Sequence, residues 1–100
     1  MYDMNHLKKL NKLGESAKAA WEGYKAFDKA AMADGAIPAK TKSLIAIAVA
    51  MTTQCPYCIE IHSNRAKAAG CTDAEIAESV MVAAALRAGA AVTHGTHALE

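Results

Sequence analysis

Cys55-Pro56-Tyr57-Cys58-Ile59-Glu60-Ile61-His62 is the stretch on which both the fold and the chemistry of this 100-residue chain turn. Proline is favoured at the first position of a helix, where the N–H it lacks would have no intrahelical partner anyway. Pro56 therefore opens a helix and makes Cys55 its N-cap. At that position a sulfur faces backbone N–H groups and the positive end of the helix dipole, and both this and the Cys-x-x-Cys spacing favour a thiolate near neutrality. At 100° per residue, with Cys55 at 0°, Cys58 falls at roughly 300° and His62 at roughly 340°, while Glu60 at roughly 140° points away. Both sulfurs and the imidazole thus share one stripe. His62 is one turn beyond Cys58, within reach of proton exchange with a thiol directly or through a water.

Outward from this motif the pattern is helical throughout. Ala, Lys, Leu, Glu and Met dominate, and Gly and Pro fall mainly at breaks, which predicts an all-α domain. A first helix is expected over about Asn5 to Met32, broken at Gly14-Glu15 with Ser16 as a new cap. Leu7, Leu10, Ala17, Ala20, Trp21, Tyr24 and Phe27 recur along it at three-to-four spacing. Pro38 suits the first turn of a second helix that runs to about Thr53. The helix opened by Pro56 runs to Ala69, with Gly70 as its left-handed stop. Thr72-Asp73-Ala74-Glu75 is a capping box for a fourth helix to about Arg87, and Gly89 is expected to separate a short fifth helix over Ala90 to Ala98.

One hundred residues fit one domain spanning 1–100, and Leu99-Glu100 reads as a cloning remnant without structural meaning. A formal charge of +1, eleven basic against ten acidic side chains, leaves no electrostatic footprint for nucleic acid or an anionic membrane. The longest unbroken apolar run, Leu44 to Met51, is far short of the roughly 20 residues that span a bilayer, so no transmembrane segment is expected. The start of the chain has no basic segment followed by an apolar one, and a cytoplasmic location is the expectation. Leu44 to Met51 and Val80 to Leu86 are apolar on every helical face. In a small domain poor in aromatic residues this predicts burial from more than one side, and hence a homo-oligomer.

Other readings compete with the redox one. Cys55, Cys58 and His62 could be three ligands of a structural zinc, with His94 or His97 as the fourth. Zinc, however, usually closes over loops and knuckles rather than over one helix start. Cys71, after a helix stop, reads as a small apolar filler. His94 and His97 share a face at i, i+3 and read first as a satisfied or exposed pair. Trp21, Tyr24 and Phe27 form a helical stripe of the kind used in cores and subunit interfaces. His6 reads as solvated.

Three segments together resemble the alkylhydroperoxidase D and carboxymuconolactone decarboxylase superfamily: Ala36-Ile-Pro-Ala-Lys-Thr-Lys42, Gln54-Cys-Pro-Tyr-Cys58-Ile-Glu-Ile-His62 and Ala68-Ala-Gly-Cys-Thr-Asp-Ala-Glu-Ile76. The resemblance covers about residues 20 to 95. It implies an all-helical fold assembled as a homotrimer or homohexamer, and thiol-dependent reduction of a small hydroperoxide, an antioxidant role with no cofactor. In the peroxidase branch the two motif cysteines cycle between dithiol and disulfide, and an external dithiol or redoxin regenerates them. The motif histidine and a glutamate in the preceding helix relay protons. Cys55, Cys58 and His62 match that pattern. The family glutamate stands twelve residues before the first cysteine, where this chain has Ser43.

Ser43, Ile47, Ala50 and Gln54 follow one stripe toward the cysteines, so Ser43 is a candidate relay position that could hold a water. Glu22, from the same or a neighbouring protomer, is the alternative relay group. Tyr57 and His94 are candidate outer groups of the site. The expected chemistry is attack of one thiolate on the peroxide oxygen to give a sulfenic acid, which the second thiol resolves to a disulfide. N-capping favours Cys55 as the attacking thiolate, whereas proximity to His62 favours Cys58. Two alternatives stand beside this reading: a lactone decarboxylase of the same superfamily, whose chemistry does not need two cysteines, and a non-catalytic zinc-bound or oligomeric helical module.

Overall fold

The computed structural model of the chain describes residues 3–100, and all regular structure among them is helical. They divide into two compact units, one up to Ala39 and one from Lys40 to Glu100.

The first unit opens with a 3-10 helix over Met4–Lys9, capped by Asp3, whose Oδ1 accepts the Asn5 N–H at 2.9 Å. Helix α1 spans Leu10–Ser16 and α2 spans Lys18–Met32. The expected break is real but misplaced: it falls at Ala17 (φ −136°, ψ 58°), and Ser16 is no N-cap, since its hydroxyl donates back to the Lys12 carbonyl at 2.8 Å. Gly14 continues α1 instead of ending it. The indole of Trp21 lies over its bare Cα, and a Cβ there would sit 2.5 Å from Trp21 Cδ1. The glycine serves close packing. Trp21 also faces Tyr24, with ring centroids 5.6 Å apart, while Tyr24 and Phe27 remain exposed. At the end of the unit Asp34 Oδ1 accepts the Ala39 N–H at 2.7 Å. This side chain caps the start of the next helix, and Pro38 precedes that helix instead of opening it.

The second unit is built on α3 (Ala39–Thr53), α4 (Pro56–Ala68) and α5 (Asp73–Gly95), ending in a 3-10 turn over Thr96–Ala98. The buried residues of α3 are Ser43, Ile47 and Ala50, the three leading positions of the stripe read from the sequence. Ile47, Ala66 and Cys71 form the centre of the core, with Leu44, Met51, Ile76 and Val80 packed partly against it. The cysteine read as a filler is part of that core, its thiol directed at the Lys40 carbonyl at 3.7 Å.

Two turns of one design connect these helices. After α4, Gly70 takes φ +89°, Gly70 N–H donates to Lys67 O at 3.0 Å, and Cys71 N–H donates to Ala66 O at 2.9 Å. This is the left-handed glycine stop expected there. After α3 the corresponding left-handed residue is Gln54 (φ 55°), with Cys55 N–H donating to Ala50 O at 3.4 Å. A side chain in that conformation costs about 1 kcal/mol relative to glycine. The capping box is complete: Thr72 Oγ1 accepts from Glu75 N–H at 3.1 Å and Glu75 Oε1 accepts from Thr72 N–H at 2.8 Å.

Helix α5 corrects two expectations. It passes through Gly89 without a break, because a single interior glycine costs only about 1 kcal/mol and the alanine-rich flanks on both sides propagate the helix. The segment Asp73–Ala98 is consequently 26 residues long and holds an 18-residue window of mean hydropathy 1.4, long and apolar enough by length and composition to cross a membrane. No unbroken apolar run marks this helix in the sequence, because Glu78, Ser79 and Arg87 interrupt it without lowering the average far enough.

Candidate active site

Cys55 belongs to two structural motifs at once. Its N–H closes the left-handed turn at the end of α3, and its side chain caps α4, with Sγ accepting the Cys58 N–H at 3.3 Å and its carbonyl accepting the Ile59 N–H at 2.9 Å. The extended backbone of Cys55 (φ −95°, ψ 107°) is what turns the sulfur toward the first turn of the helix. Pro56 holds the first helical position, as the sequence predicts.

The two thiols are driven apart in acidity. A hydrogen bond from the Cys58 side chain, then backbone N–H groups of Cys58 and Tyr57, hold the Cys55 thiol below its usual value of 9.0. The same side-chain hydrogen bond, together with burial and repulsion from the Cys55 sulfur, raises Cys58 above it. All three cysteines are free thiols, Cys55 and Cys58 half-buried and Cys71 buried. The pair therefore consists of a more acidic thiol next to a less acidic one, the asymmetry that dithiol chemistry would use.

The remaining candidates are placed as follows. His62 lies on α4 one turn beyond Cys58, half-buried, with its Nδ1 atom buried. Ser43 is on the inward face of α3 and 7% exposed. Tyr57 sits half-buried in the first turn of α4. Glu22 belongs to the first unit, where it pairs with Lys25 at 3.3 Å on the surface. It also lines an open cavity with Asn11, Gly14, Glu15, Lys18 and Trp21, none of them a cysteine. His94 is exposed near the end of α5, its ring centroid 5.7 Å from that of His97. Among the described residues no group of three or more His, Cys, Asp or Glu side chains is arranged to hold a metal ion.

The roles of two residues at the end of α3 escaped sequence reasoning, although Gln54 was read as the last position of the Ser43 stripe. Gln54 carries no turn signal of the Gly or Asn kind, yet takes the left-handed position. Arg87 reaches from α5 to the last turn of α3, donating from Nη1 to the Thr52 carbonyl at 2.6 Å. The one hint of Arg87 in the sequence is a cation ending the apolar run Val80 to Leu86.

Residues 18–100 match the sequence profile of the carboxymuconolactone decarboxylase family. A Paracoccus denitrificans protein, described as "Uncharacterized protein 4 in cox locus", is 44% identical over 102 residues, covering 99% of this chain and 92% of its own. A Haemophilus influenzae protein without an assigned role is 42% identical over 97 residues, covering 96% and 86%. Among solved structures, a carboxymuconolactone decarboxylase family protein from Legionella pneumophila in its apo form superposes with a TM-score of 0.79 at 33% identity, over 82% of this chain and 73% of that one. A Methanobacterium thermoautotrophicum protein superposes with a TM-score of 0.82 at 31% identity, over 86% of this chain and 97% of that one.

Proposed function

The chain belongs to the carboxymuconolactone decarboxylase family, and we propose that within it this protein is a thiol-dependent peroxidase that reduces a small hydroperoxide through the Cys55–Cys58 dithiol. The observation that carries the proposal is the placement of Cys55 as N-cap, its Sγ accepting the Cys58 N–H at 3.3 Å; the Cys58 side-chain hydrogen bond first and this N–H second hold the Cys55 thiol down, while the same side-chain bond, burial and the Cys55 sulfur push Cys58 up. That asymmetry supports Cys55 as the attacking thiol.

In the first step the Cys55 thiolate displaces the alcohol from the hydroperoxide. An S–O bond forms, the O–O bond breaks, the leaving alkoxide takes a proton, and sulfur becomes a sulfenic acid. In the second step the Cys58 sulfur attacks Cys55 Sγ, an S–S bond forms and water leaves. The leaving groups of both steps require a proton, for which His62, one turn from Cys58 on the stripe it shares with the two sulfurs, is the donor we assign. An external dithiol or redoxin then reduces the disulfide by exchange and closes the cycle. The dithiol chemistry itself uses no metal or organic cofactor. We propose a homotrimer or homohexamer as the working form.

The test is consumption of an organic hydroperoxide with a chemical dithiol as reductant. Wild type and Cys71→Ser should be active, and Cys55→Ser inactive. Mass spectrometry after mild peroxide should show a loss of about two hydrogens on the peptide carrying Cys55 and Cys58. Activity that survives Cys55→Ser, or a wild type that leaves peroxide untouched and instead decarboxylates a lactone acid, overturns the proposal.

A further inference from the structure

One hydrogen bond at the entry to Cys55 ties it to a distant helix. Thr52 Oγ1 donates to Val49 O at 2.7 Å, and Thr53 Oγ1 lies 3.2 Å from Val49 O and 3.3 Å from Ala50 O. The hydroxyls of the last turn of α3 thus serve carbonyls at 49 and 50, and the Thr52 carbonyl is met from outside by Arg87 Nη1 at 2.6 Å, thirty-five residues along the chain. A charged donor on a helix-terminal carbonyl is a favourable arrangement, since it satisfies an acceptor with no intrahelical partner and opposes the negative end of the dipole.

The need for such a strut is visible from the second turn of the same design. At Gly70 the left-handed conformation is free of a Cβ penalty, and the closing bonds are 2.9 and 3.0 Å. At Gln54 the conformation carries a side chain, the closing Cys55 N–H to Ala50 O bond stretches to 3.4 Å, and Ala50 O also lies within reach of the Thr53 hydroxyl. The turn that delivers the thiol is the weaker of the two, and it is the one with Arg87 braced against it.

We infer that Arg87 is a positioning residue for the dithiol: its guanidinium, projecting from α5, holds the C-terminus of α3 so that the Gln54 turn presents Cys55 Sγ to the Cys58 N–H. The inference rests on Cys55 being the reactive thiol, and its test requires no peroxide turnover, so that a failure of the peroxidase reading leaves its outcome legible.

The experiment compares amide hydrogen exchange in reduced wild type, Arg87→Met and Arg87→Lys, read at residues 53–58 and at residues 69–71. The Gly70 turn is an internal control, because a general loss of stability speeds exchange at both turns alike. In Arg87→Met, exchange over 53–58 is expected to rise about three- to tenfold, in keeping with the loss of one solvent-exposed hydrogen bond, with 69–71 unchanged. Alkylation of Cys55 at neutral pH is expected to slow in parallel. Arg87→Lys, which keeps a cationic donor on a comparable stem, should fall between the two. Equal acceleration at both turns, no acceleration at 53–58, or a lysine variant no better than methionine would each overturn the inference. Should Arg87→Met fail to fold, Arg87→Lys against wild type carries the same comparison between the two turns.

Discussion

The backbone N–H of Cys58 points at Sγ of Cys55 from 3.3 Å, so that one cysteine supplies the helix cap and the other supplies the donor that cap satisfies. This reciprocal placement makes two chemically identical side chains unequal. An N-cap interaction is usually argued as a contribution to helix stability; here the same geometry also favours the charged form of a thiol.

Labelling with iodoacetamide across pH should separate the two thiols. The Cys55 thiol is held below 9.0 and Cys58 above it, so Cys55 is expected to react first as pH rises, with Cys58 following once Cys55 is blocked or the pH is high. Peptide mapping checks the order. Equal labelling, or Cys58 before Cys55, would contradict the assignment of the attacking sulfur.

Ser43→Glu should raise the rate of peroxide consumption by at least about tenfold, toward the roughly 10²- to 10⁴-fold that a positioned acid or base contributes. Combining it with His62→Ala should remove most of the gain, because the two groups would act as one relay. The site is only 7% exposed, so the new carboxylate also lowers stability, and thermal unfolding must be followed alongside the rate. A folded Ser43→Glu protein that is no faster than wild type would show that position 43 takes no part in proton transfer.

Helix α5 leaves Met81, Val82, Leu86 and Val92 exposed, the last at 75%. Covering such a stripe with further copies of the chain removes it from water, and light scattering at micromolar concentration should give a mass of at least three chains. Charged substitution at Leu86, a residue 68% exposed in the single chain, should lower that mass without loss of helicity. A monomeric wild type would refute the assembly.

Glu75 joins the capping box to Lys40 at the start of α3, with Nζ to Oε2 at 3.4 Å. Its carboxyl is held below the usual range chiefly by the Thr72 N–H, and also by the Lys40 ammonium. A depressed folded value means that this contribution is present above the unfolded carboxyl pKa of about 4.3 and is lost as pH falls through the folded value. Thermal unfolding followed downward from about pH 5 should therefore show a steeper decline for wild type than for Glu75→Gln, which keeps a capping acceptor but does not titrate. Parallel curves would show that Glu75 is not linked to folding.

How much of this was legible beforehand follows from what each feature depends on. Pro56 as first helical residue, Cys55 as N-cap, the capping box of Thr72 and Glu75 and the stop at Gly70 were set by the sequence itself, because each depends on the conformational limits of a few consecutive residues. The inward stripe of Ser43, Ile47 and Ala50 was equally legible, since helical periodicity alone places those residues on one face. Tertiary structure decided the rest. Gly14 marks a close approach and not a break, because an indole seven residues away lies over it. Gly89 is the exception, kept within one long helix by its alanine-rich flanks, a local balance of propensities and not a tertiary contact. Gln54 accepts a left-handed conformation that its side chain disfavours, and Arg87 meets a carbonyl thirty-five residues distant. Local propensities amount to about 1 kcal/mol or less per residue, so contacts made only when distant segments meet can override them.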